Sequence, residues 1–129
     1  MAHPNEDVVR ESSAARERGD MDAIQKYWTE GIRYHFPERS SIAGDYEGQE
    51  QMLGQSARTF ELTGGTFSAE LHDTLANDKH AVVMLTIHAE RAGKKLNENV
   101  VLVYHFRDGK IAEVVSHSAD QYAVDEFYS

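Results

Sequence analysis

The chain lacks cysteine altogether and contains only two prolines among its 129 residues. Without cysteine it forms no disulfide, carries no thiolate nucleophile and has no cysteine-ligated zinc site. Its apolar runs are far shorter than the ~20 residues that cross a bilayer, and its first residues, MAHPNEDVV, lack the basic and then apolar pattern of a signal peptide. We therefore expect a soluble, cytoplasmic protein without a membrane partner, folded as one domain over residues 1–129.

Basic residues are also scarce, and they are scattered along the chain. There are 13 Lys and Arg residues against 22 Asp and Glu residues, which gives a formal net charge of −9. A surface of this sign repels the phosphate backbone of nucleic acids. Nucleic acid is therefore not an expected partner, and the acidity otherwise serves solubility.

The first half of the sequence carries the pattern of three helices. Asn5 is placed to cap a first helix that Gly19 closes, and Asp20 is placed to cap a second. The apolar residues of the second helix recur at helical spacing: Met21, Ile24, Tyr27 and Trp28. A third helix is predicted from about Gln49 to Phe60, before the sequence TGG.

A short aromatic strand is predicted between the second and third helices, from Ile32 to Phe36. Pro37 ends it, because proline cannot donate to a sheet ladder and restricts the residue before it. The glycine-rich segment through Ser40, Gly44 and Gly48 is then predicted to be a loop.

Beyond Gly65 the hydrophobic period changes from helical to two. Four strands are predicted: Thr66 to Leu75, His80 to Arg91, Leu96 to Arg107 and Lys110 to Ser118. Turns of hairpin length separate them. Helices followed by an antiparallel meander are typical of the α+β class, with the helices on one face of a curved, mainly antiparallel sheet.

The third of these four strands is apolar on both faces. One face carries Val100, Leu102, Tyr104 and Phe106, and the other carries Val101, Val103 and His105. Only one face can meet the helices. The other face is best explained by burial against a second copy of the chain, which predicts a homodimer through the outer sheet face.

Several segments together resemble the SnoaL-like branch of the NTF2-like, or ketosteroid isomerase-like, superfamily. They are the helix junction RGDMDAI, the aromatic strand with its proline, SIAGDYEGQEQM, TGGTF, RDGKIAEV and the ending DQYAVDEFYS. The resemblance covers nearly the whole chain and implies an α+β cone, also described as a cystatin-like roll, in which three helices close a pocket formed by the sheet. Isomerases, polyketide cyclases, hydrolases, dehydratases and pure binding domains share this architecture, so the fold alone does not settle the activity.

The resemblance also predicts that true ketosteroid isomerase activity is absent. The position of the oxyanion tyrosine falls on Ser12, that of the general-base aspartate on Phe36 and that of the protonated aspartate on Leu102. Phenylalanine and leucine can neither move a proton nor hold a dienolate oxygen.

A set of inward-facing residues is predicted to bind a small hydrophobic molecule with one or two oxygens. Its members are Trp28, Tyr34, Phe36, Leu85, Ile87, Leu102, Tyr104, Val114 and Ser116. Most aromatic stripes are simply core, but hydroxyl groups among apolar side chains need a partner, from the protein, from water or from a ligand.

Two residues are candidate acid/base groups. Asp120 follows the last strand, where a carboxylate at the mouth of an apolar cavity can act in proton transfer; equally, it can cap the turn Gln121 to Phe127. His35 belongs to an aromatic-His-x-Pro segment that resembles this branch. Strand alternation nevertheless points His35 away from the pocket if Tyr34 and Phe36 point into it.

Three histidines on separate strands, His88, His105 and His117, raise the question of a zinc site. Alternation places all three on the outward face without a carboxylate to complete a ligand set. We expect them to line a dimer contact, and neither a metal nor another cofactor is predicted.

The leading functional hypothesis is a small enzyme of the SnoaL-like type that uses cofactor-free acid/base chemistry on a compact apolar carbonyl, hydroxyl or epoxide compound. A non-catalytic binding or accessory domain with the same pocket is the alternative. A dimeric interaction domain with a filled cavity is a third. Catalysis needs at least two convergent titratable groups, binding needs only polar anchors, and the third hypothesis needs no free volume.

Overall fold

The computed structural model describes residues 3–36 and 43–129, which form one α+β unit. The elements in chain order are α1 Pro4–Glu17, α2 Met21–Gln25, β1 Trp28–Phe36, β2 Gly44–Glu47, α3 Gln49–Leu62, β3 Ser68–Ala76, β4 His80–Arg91, β5 Lys94–Arg107, β6 Lys110–Ser118 and α4 Gln121–Phe127. The strands make one sheet in the order β2-β1-β6-β5-β4-β3, and only β1 and β6 pair in parallel. The predicted fold class is confirmed.

The start of α1 differs from the sequence-based prediction, because His3 and not Asn5 is the cap. The His3 ring accepts the Asn5 backbone N–H through Nδ1 at 3.1 Å, and the Glu6 carboxylate accepts the His3 backbone N–H at 3.2 Å. The Asn5 side chain instead donates to the backbone oxygens of Asn77 and Asp78. Asn5 therefore ties α1 to the hairpin between β3 and β4.

The segment after α2 also differs from the prediction. Trp28, predicted to lie on the second helix, begins β1, and the predicted loop contains a strand, β2, which pairs with β1. The burial of Trp28 and Ile32 follows from the parallel pairing of β1 with β6, a long-range contact that local periodicity does not reveal. Pro37 and Ser40 lie outside the described residues.

The meander of β3 to β6 agrees with the prediction to within two residues at each strand end. Two of its hairpins turn through two residues each, Ala92 with Gly93 and Asp108 with Gly109, and all four have positive φ. This is the type I′ geometry that matches the right-handed twist of the flanking strands. The predicted C-terminal turn is a short fourth helix, α4.

The core lies between the concave inner face of the sheet and the helices α1 to α3. Val9, Ile32, Val83 and Ile111 are its most deeply buried apolar side chains. A second, smaller apolar cluster forms where α4 packs on β5, and it includes Phe127. None of the helices in the described part of the chain has the length and apolar run that a membrane crossing requires.

Candidate functional site

The inner face of the sheet and the facing sides of α1 and α3 enclose a cavity of about 120 Å³. Its lining is mostly apolar. All the residues predicted to bind a ligand contribute to it: Trp28, Tyr34, Phe36, Leu85, Ile87, Leu102, Tyr104, Val114 and Ser116. The structure thus brings together side chains from β1, β4, β5 and β6, while ligand binding itself stays a prediction.

The alternation of β5 explains how one strand supplies so much of this lining. Leu102 and Tyr104 are buried and face the cavity, whereas Val101, which directly precedes Leu102, is 37% exposed on the opposite face. Because β5 pairs with β4 on one side and β6 on the other, it forms the middle of the cavity floor.

Asp120, the first candidate acid/base group, does not line the cavity. Its carboxylate accepts the backbone N–H of Ala123 at 3.1 Å and caps α4, and the residue is exposed. The structure therefore shows the capping arrangement of the two that the sequence allowed.

His35, the second candidate, also lies outside the cavity lining. Its exposed ring pairs with Asp45 on the neighbouring strand β2. Tyr34 and Phe36 on either side of it do line the cavity, with ring centroids 5.7 Å apart. Strand alternation thus separates the aromatic pair from the histidine in the way that the sequence pattern indicated.

Glu98 is a cavity-lining carboxylate that the sequence analysis missed. It is only 6% exposed, on the inner face of β5, and one of its oxygens accepts the backbone N–H of Asp120 at 3.2 Å. The signal was available: the alternation that places Val100 and Leu102 inward places Glu98 inward as well. An acidic residue at an inward strand position is rare enough to mark a site.

The helix α1 adds two further polar groups that were missed, Ser13 and Arg16. The Ser13 hydroxyl and the Nε and Nη2 atoms of Arg16 are buried, line the same cavity and have no hydrogen-bond partner among the described residues. The nearby Ser12 differs, because its hydroxyl donates to the backbone oxygen of Val9 at 3.0 Å. The capping pattern of α1 does not indicate which of its side chains face the sheet.

Tyr104 is the titratable lining residue with a perturbed proton affinity. Burial raises the pKa of its hydroxyl above the ordinary value of a tyrosine, and the positive charge of Arg16 acts against that increase. The hydroxyl is therefore neutral over the physiological pH range and available as a hydrogen-bond donor.

Two of the three histidines considered for a zinc site, His88 and His105, have neighbouring polar side chains on the outer face. His88 lies 3.5 Å from a Glu70 oxygen, His105 lies 3.6 Å from a Glu113 oxygen, and the His105 ring packs edge-on against His80. Within residues 3–36 and 43–129, no group of three or more His, Cys, Asp or Glu side chains is arranged to hold a metal ion.

The fold and the site together define an α+β cone with an internal, mostly apolar cavity that contains a carboxylate, a guanidinium and several hydroxyl groups. The sequence profile of the SnoaL-like domain matches residues 9–114. The chain belongs to this family, and so to the SnoaL-like branch of the NTF2-like superfamily.

Similar proteins cover nearly the full length of the chain. The uncharacterised protein Rv0034 of Mycobacterium tuberculosis is 26% identical over 124 residues, which is 95% of both chains. The structure of Bal32a, from a soil-derived mobile gene cassette, superimposes with a TM-score of 0.95 at 36% identity and covers 99% of this chain and 98% of its own. A Xanthomonas campestris protein of unknown function with a cystatin-like fold gives a TM-score of 0.90 at 24% identity, over 100% and 99% of the two chains.

Proposed function

We propose that the chain is a small-molecule enzyme of the SnoaL-like type that binds a compact, mostly apolar oxygenated compound in its cavity. Glu98 is the acid/base group of this proposal, and the chemistry needs no cofactor. The observation that carries the proposal is a single one: a carboxylate only 6% exposed lines an apolar cavity. Natural proteins rarely bury a carboxylate in such surroundings without a use for it.

The position of Glu98 suits proton transfer to or from a bound carbonyl, hydroxyl or epoxide compound. A general acid or base must reach the substrate directly or through one water, and a lining residue meets that condition. The neutral hydroxyl of Tyr104, in the same lining, supplies a hydrogen-bond donor for a substrate oxygen. Two titratable groups therefore converge on one volume, as acid/base catalysis requires.

True ketosteroid isomerisation stays outside this proposal. Ser12 and Leu102 line the cavity, as does Phe36, and these are the three positions at which the isomerase chemistry is expected. Leucine and phenylalanine carry no proton to transfer, and the Ser12 hydroxyl already donates to Val9. We expect an unsaturated steroid ketone to be converted no faster than in buffer.

A specific observation favours the alternative, a binding domain without turnover. Glu98 accepts the backbone N–H of Asp120, so its burial also serves to hold the junction between β6 and α4. A carboxylate with that structural task can line a cavity without any catalytic role.

The experiment that distinguishes these two functions starts with a search for small molecules bound to the purified protein. Denaturing the purified protein and analysing the released small molecules by mass spectrometry identifies bound compounds, and a panel of cyclic ketones, alcohols and epoxides extends the search. Turnover is then compared between the wild type and Glu98→Gln, because glutamine keeps an oxygen for the Asp120 amide but cannot exchange a proton. An acid/base role predicts a loss of about 10²- to 10⁴-fold with binding retained. Binding without turnover in the wild type would favour the binding domain.

We further propose a homodimer formed through the outer sheet face. Val101 and Val82 are 37% and 38% exposed in the single chain, and Val103 and Val115 extend the same apolar strip. An apolar strip of this kind on an otherwise polar sheet face is typical of a surface that a second copy covers.

A further inference from the structure

The helix α1 presents a polar edge to the cavity. Ser13 and Arg16 are three residues apart, so their side chains lie on the same face of the helix, and both line the cavity. Ser13 is 7% exposed, and the guanidinium atoms Nε and Nη2 of Arg16 are buried as well. These three donors form what we call the Arg16–Ser13 edge.

The Arg16–Ser13 edge is unusual because none of its donors has a hydrogen-bond acceptor among the described residues. Buried polar atoms are almost always paired, and a buried cation without a partner is the costliest exception. The exposed Arg10 on the same helix, by contrast, lies 3.6 Å from an Asp73 oxygen. The exposed Arg10 thus has an anionic partner, whereas two buried nitrogens of the half-buried Arg16 have no acceptor within residues 3–36 and 43–129.

The geometry of the donors indicates which acceptor fits. The Nε and Nη2 atoms belong to one edge of the planar guanidinium, and two parallel N–H groups match the two oxygens of a carboxylate. The Ser13 hydroxyl, on the same face of α1, supplies a third donor to the cavity. The charge of Arg16 is felt by the buried Tyr104 hydroxyl, so the guanidinium is within electrostatic reach of the opposite wall of the cavity.

We infer that the Arg16–Ser13 edge binds an anionic oxygen group, a carboxylate or an equivalent, on the small molecule that the cavity accommodates. This inference rests on the proposed function, because it presupposes that the cavity binds a small molecule. It narrows the ligand class from an apolar oxygenated compound to a compact apolar acid. The chain has a net charge of −9, so its overall charge does not attract anions, and the affinity comes from this local group.

The test uses two probes of equal size and shape, benzoate and the neutral benzamide. A single six-membered ring is the scaffold of both probes because the cavity measures about 120 Å³, and a cavity of about 150 Å³ is known to accept benzene. Titration calorimetry of the full chain gives the dissociation constants at neutral pH. We expect benzoate to bind about 10- to 100-fold more tightly than benzamide, the range typical of hydrogen bonds to a charged group.

The decisive variant is Arg16→Met, which keeps an unbranched side chain and removes the charge. We expect it to abolish the preference for benzoate while benzamide binding is retained. Arg16→Lys keeps the charge without the two-donor edge and should restore only part of the preference. The matched control is Arg10→Met, which removes one positive charge from the same helix outside the cavity and should leave the preference unchanged.

The outcomes distinguish this inference from the proposed function. Benzamide bound as tightly as benzoate in the wild type, or a preference that survives Arg16→Met, would overturn the anion site and leave the small-molecule cavity intact. Failure of both probes to bind the wild type would overturn the anion site and also contradict the small-molecule function. Circular dichroism and thermal melting of each variant confirm that the compared proteins are folded.

Discussion

Polar side chains on the outer face of the sheet and those that line the cavity on its inner side differ in their hydrogen-bond partners. On the outer face, polar side chains pair with one another: the Thr86 hydroxyl donates to the Asn99 side chain at 3.0 Å, and the His88 ring contacts Asn97 at 2.6 Å. On the inner side, the donors of the Arg16–Ser13 edge are buried and have no acceptor in the part of the chain that the structure describes. These donors line the cavity that the inner face encloses, and that difference is a further reason for locating function there.

Residue type alone is therefore a poor guide to the location of a functional site on this sheet. The outer face carries most of the histidines, which are the usual residues of acid/base and metal chemistry. Yet His88 and His105 make exposed polar contacts with Glu70 and Glu113, whereas the cavity lining on the inner face carries Glu98 and hydroxyl groups. The burial of polar side chains and their hydrogen-bond partners, more than residue type, distinguish the candidate site from the outer face.

The largest expected effect concerns the outer face. Val103→Asp places a charge in the middle of the apolar strip, and we expect it to convert the dimer completely to monomers, since a buried unpaired charge is not tolerated at an interface. Sedimentation should show about twice the 14.5 kDa chain mass for the wild type and the single mass for the variant. Ala57→Asp, on the exposed side of α3, adds the same charge away from the sheet and should remain dimeric. A wild-type monomer at micromolar concentration would remove the dimer from the account.

The second prediction compares two neighbouring valines of β4. Val83 is fully buried on the inner side and Val82 is 38% exposed on the outer side. We expect Val83→Ala to lower the free energy of unfolding by about 2–3 kcal/mol, from the methyl groups removed and the void that they leave. Val82→Ala should cost less than half of that in urea denaturation. Equal costs would show that the outer face is as tightly packed in the assembled protein as the inner face.

A smaller effect is expected at the rim of the sheet, where Asp120 caps α4. Asp120→Ala removes the acceptor for the Ala123 amide and should lower the unfolding free energy by about 1 kcal/mol. Asp120→Asn should be nearly silent, because asparagine caps a helix about as well as aspartate. If Asp120→Asn instead removed turnover of an identified substrate without loss of stability, the result would support Asp120 as an acid/base group.

The smallest predicted effect is a dependence of stability on alkaline pH. Burial raises the pKa of Tyr104, so the folded protein holds this proton more tightly than the unfolded chain does. The corresponding stability is present below the pKa of about 10 of a free tyrosine and is lost as the pH rises through the raised value. We therefore expect the free energy of unfolding, measured by denaturant, to fall more between pH 8 and a pH above 10 for the wild type than for Tyr104→Phe. Tyr122→Phe, at an exposed ring, controls for the loss of one tyrosine from the spectroscopic signal.

Much of the fold could be predicted because its determinants are local. The period-two strands and their two-residue turns at Ala92 and Asp108 follow from side-chain alternation and backbone preference alone. The features that the sequence did not predict are nonlocal. They are the parallel pairing that draws Trp28 into β1, the short edge strand β2, and the hydrogen bond from Asn5 to the turn between β3 and β4. Each of these depends on a partner that is distant in the sequence.

The sequence predicted the apolar residues that line the cavity, but it did not predict the charged residues that line it. Tyr34 and Leu102 follow from alternation, which also identified His35 as outward. Glu98 obeys the same alternation, but a charged residue at an inward strand position does not belong to the apolar pattern that predicts the lining. That the Nε and Nη2 atoms of Arg16 have no acceptor among the described residues is a property of packing in three dimensions, and no sequence pattern reports it.

Methyl NMR of the protein with benzamide is the most direct test of where a ligand binds. We propose that the inner face, and not the outer one, binds a small apolar oxygenated molecule. We expect shift changes at inward methyl groups such as those of Leu85, Leu102 and Val114, and none at the outward methyl groups of Val82 and Val101 on the same strands. Changes confined to the outward methyl groups, or no saturable change at any methyl group, would contradict it.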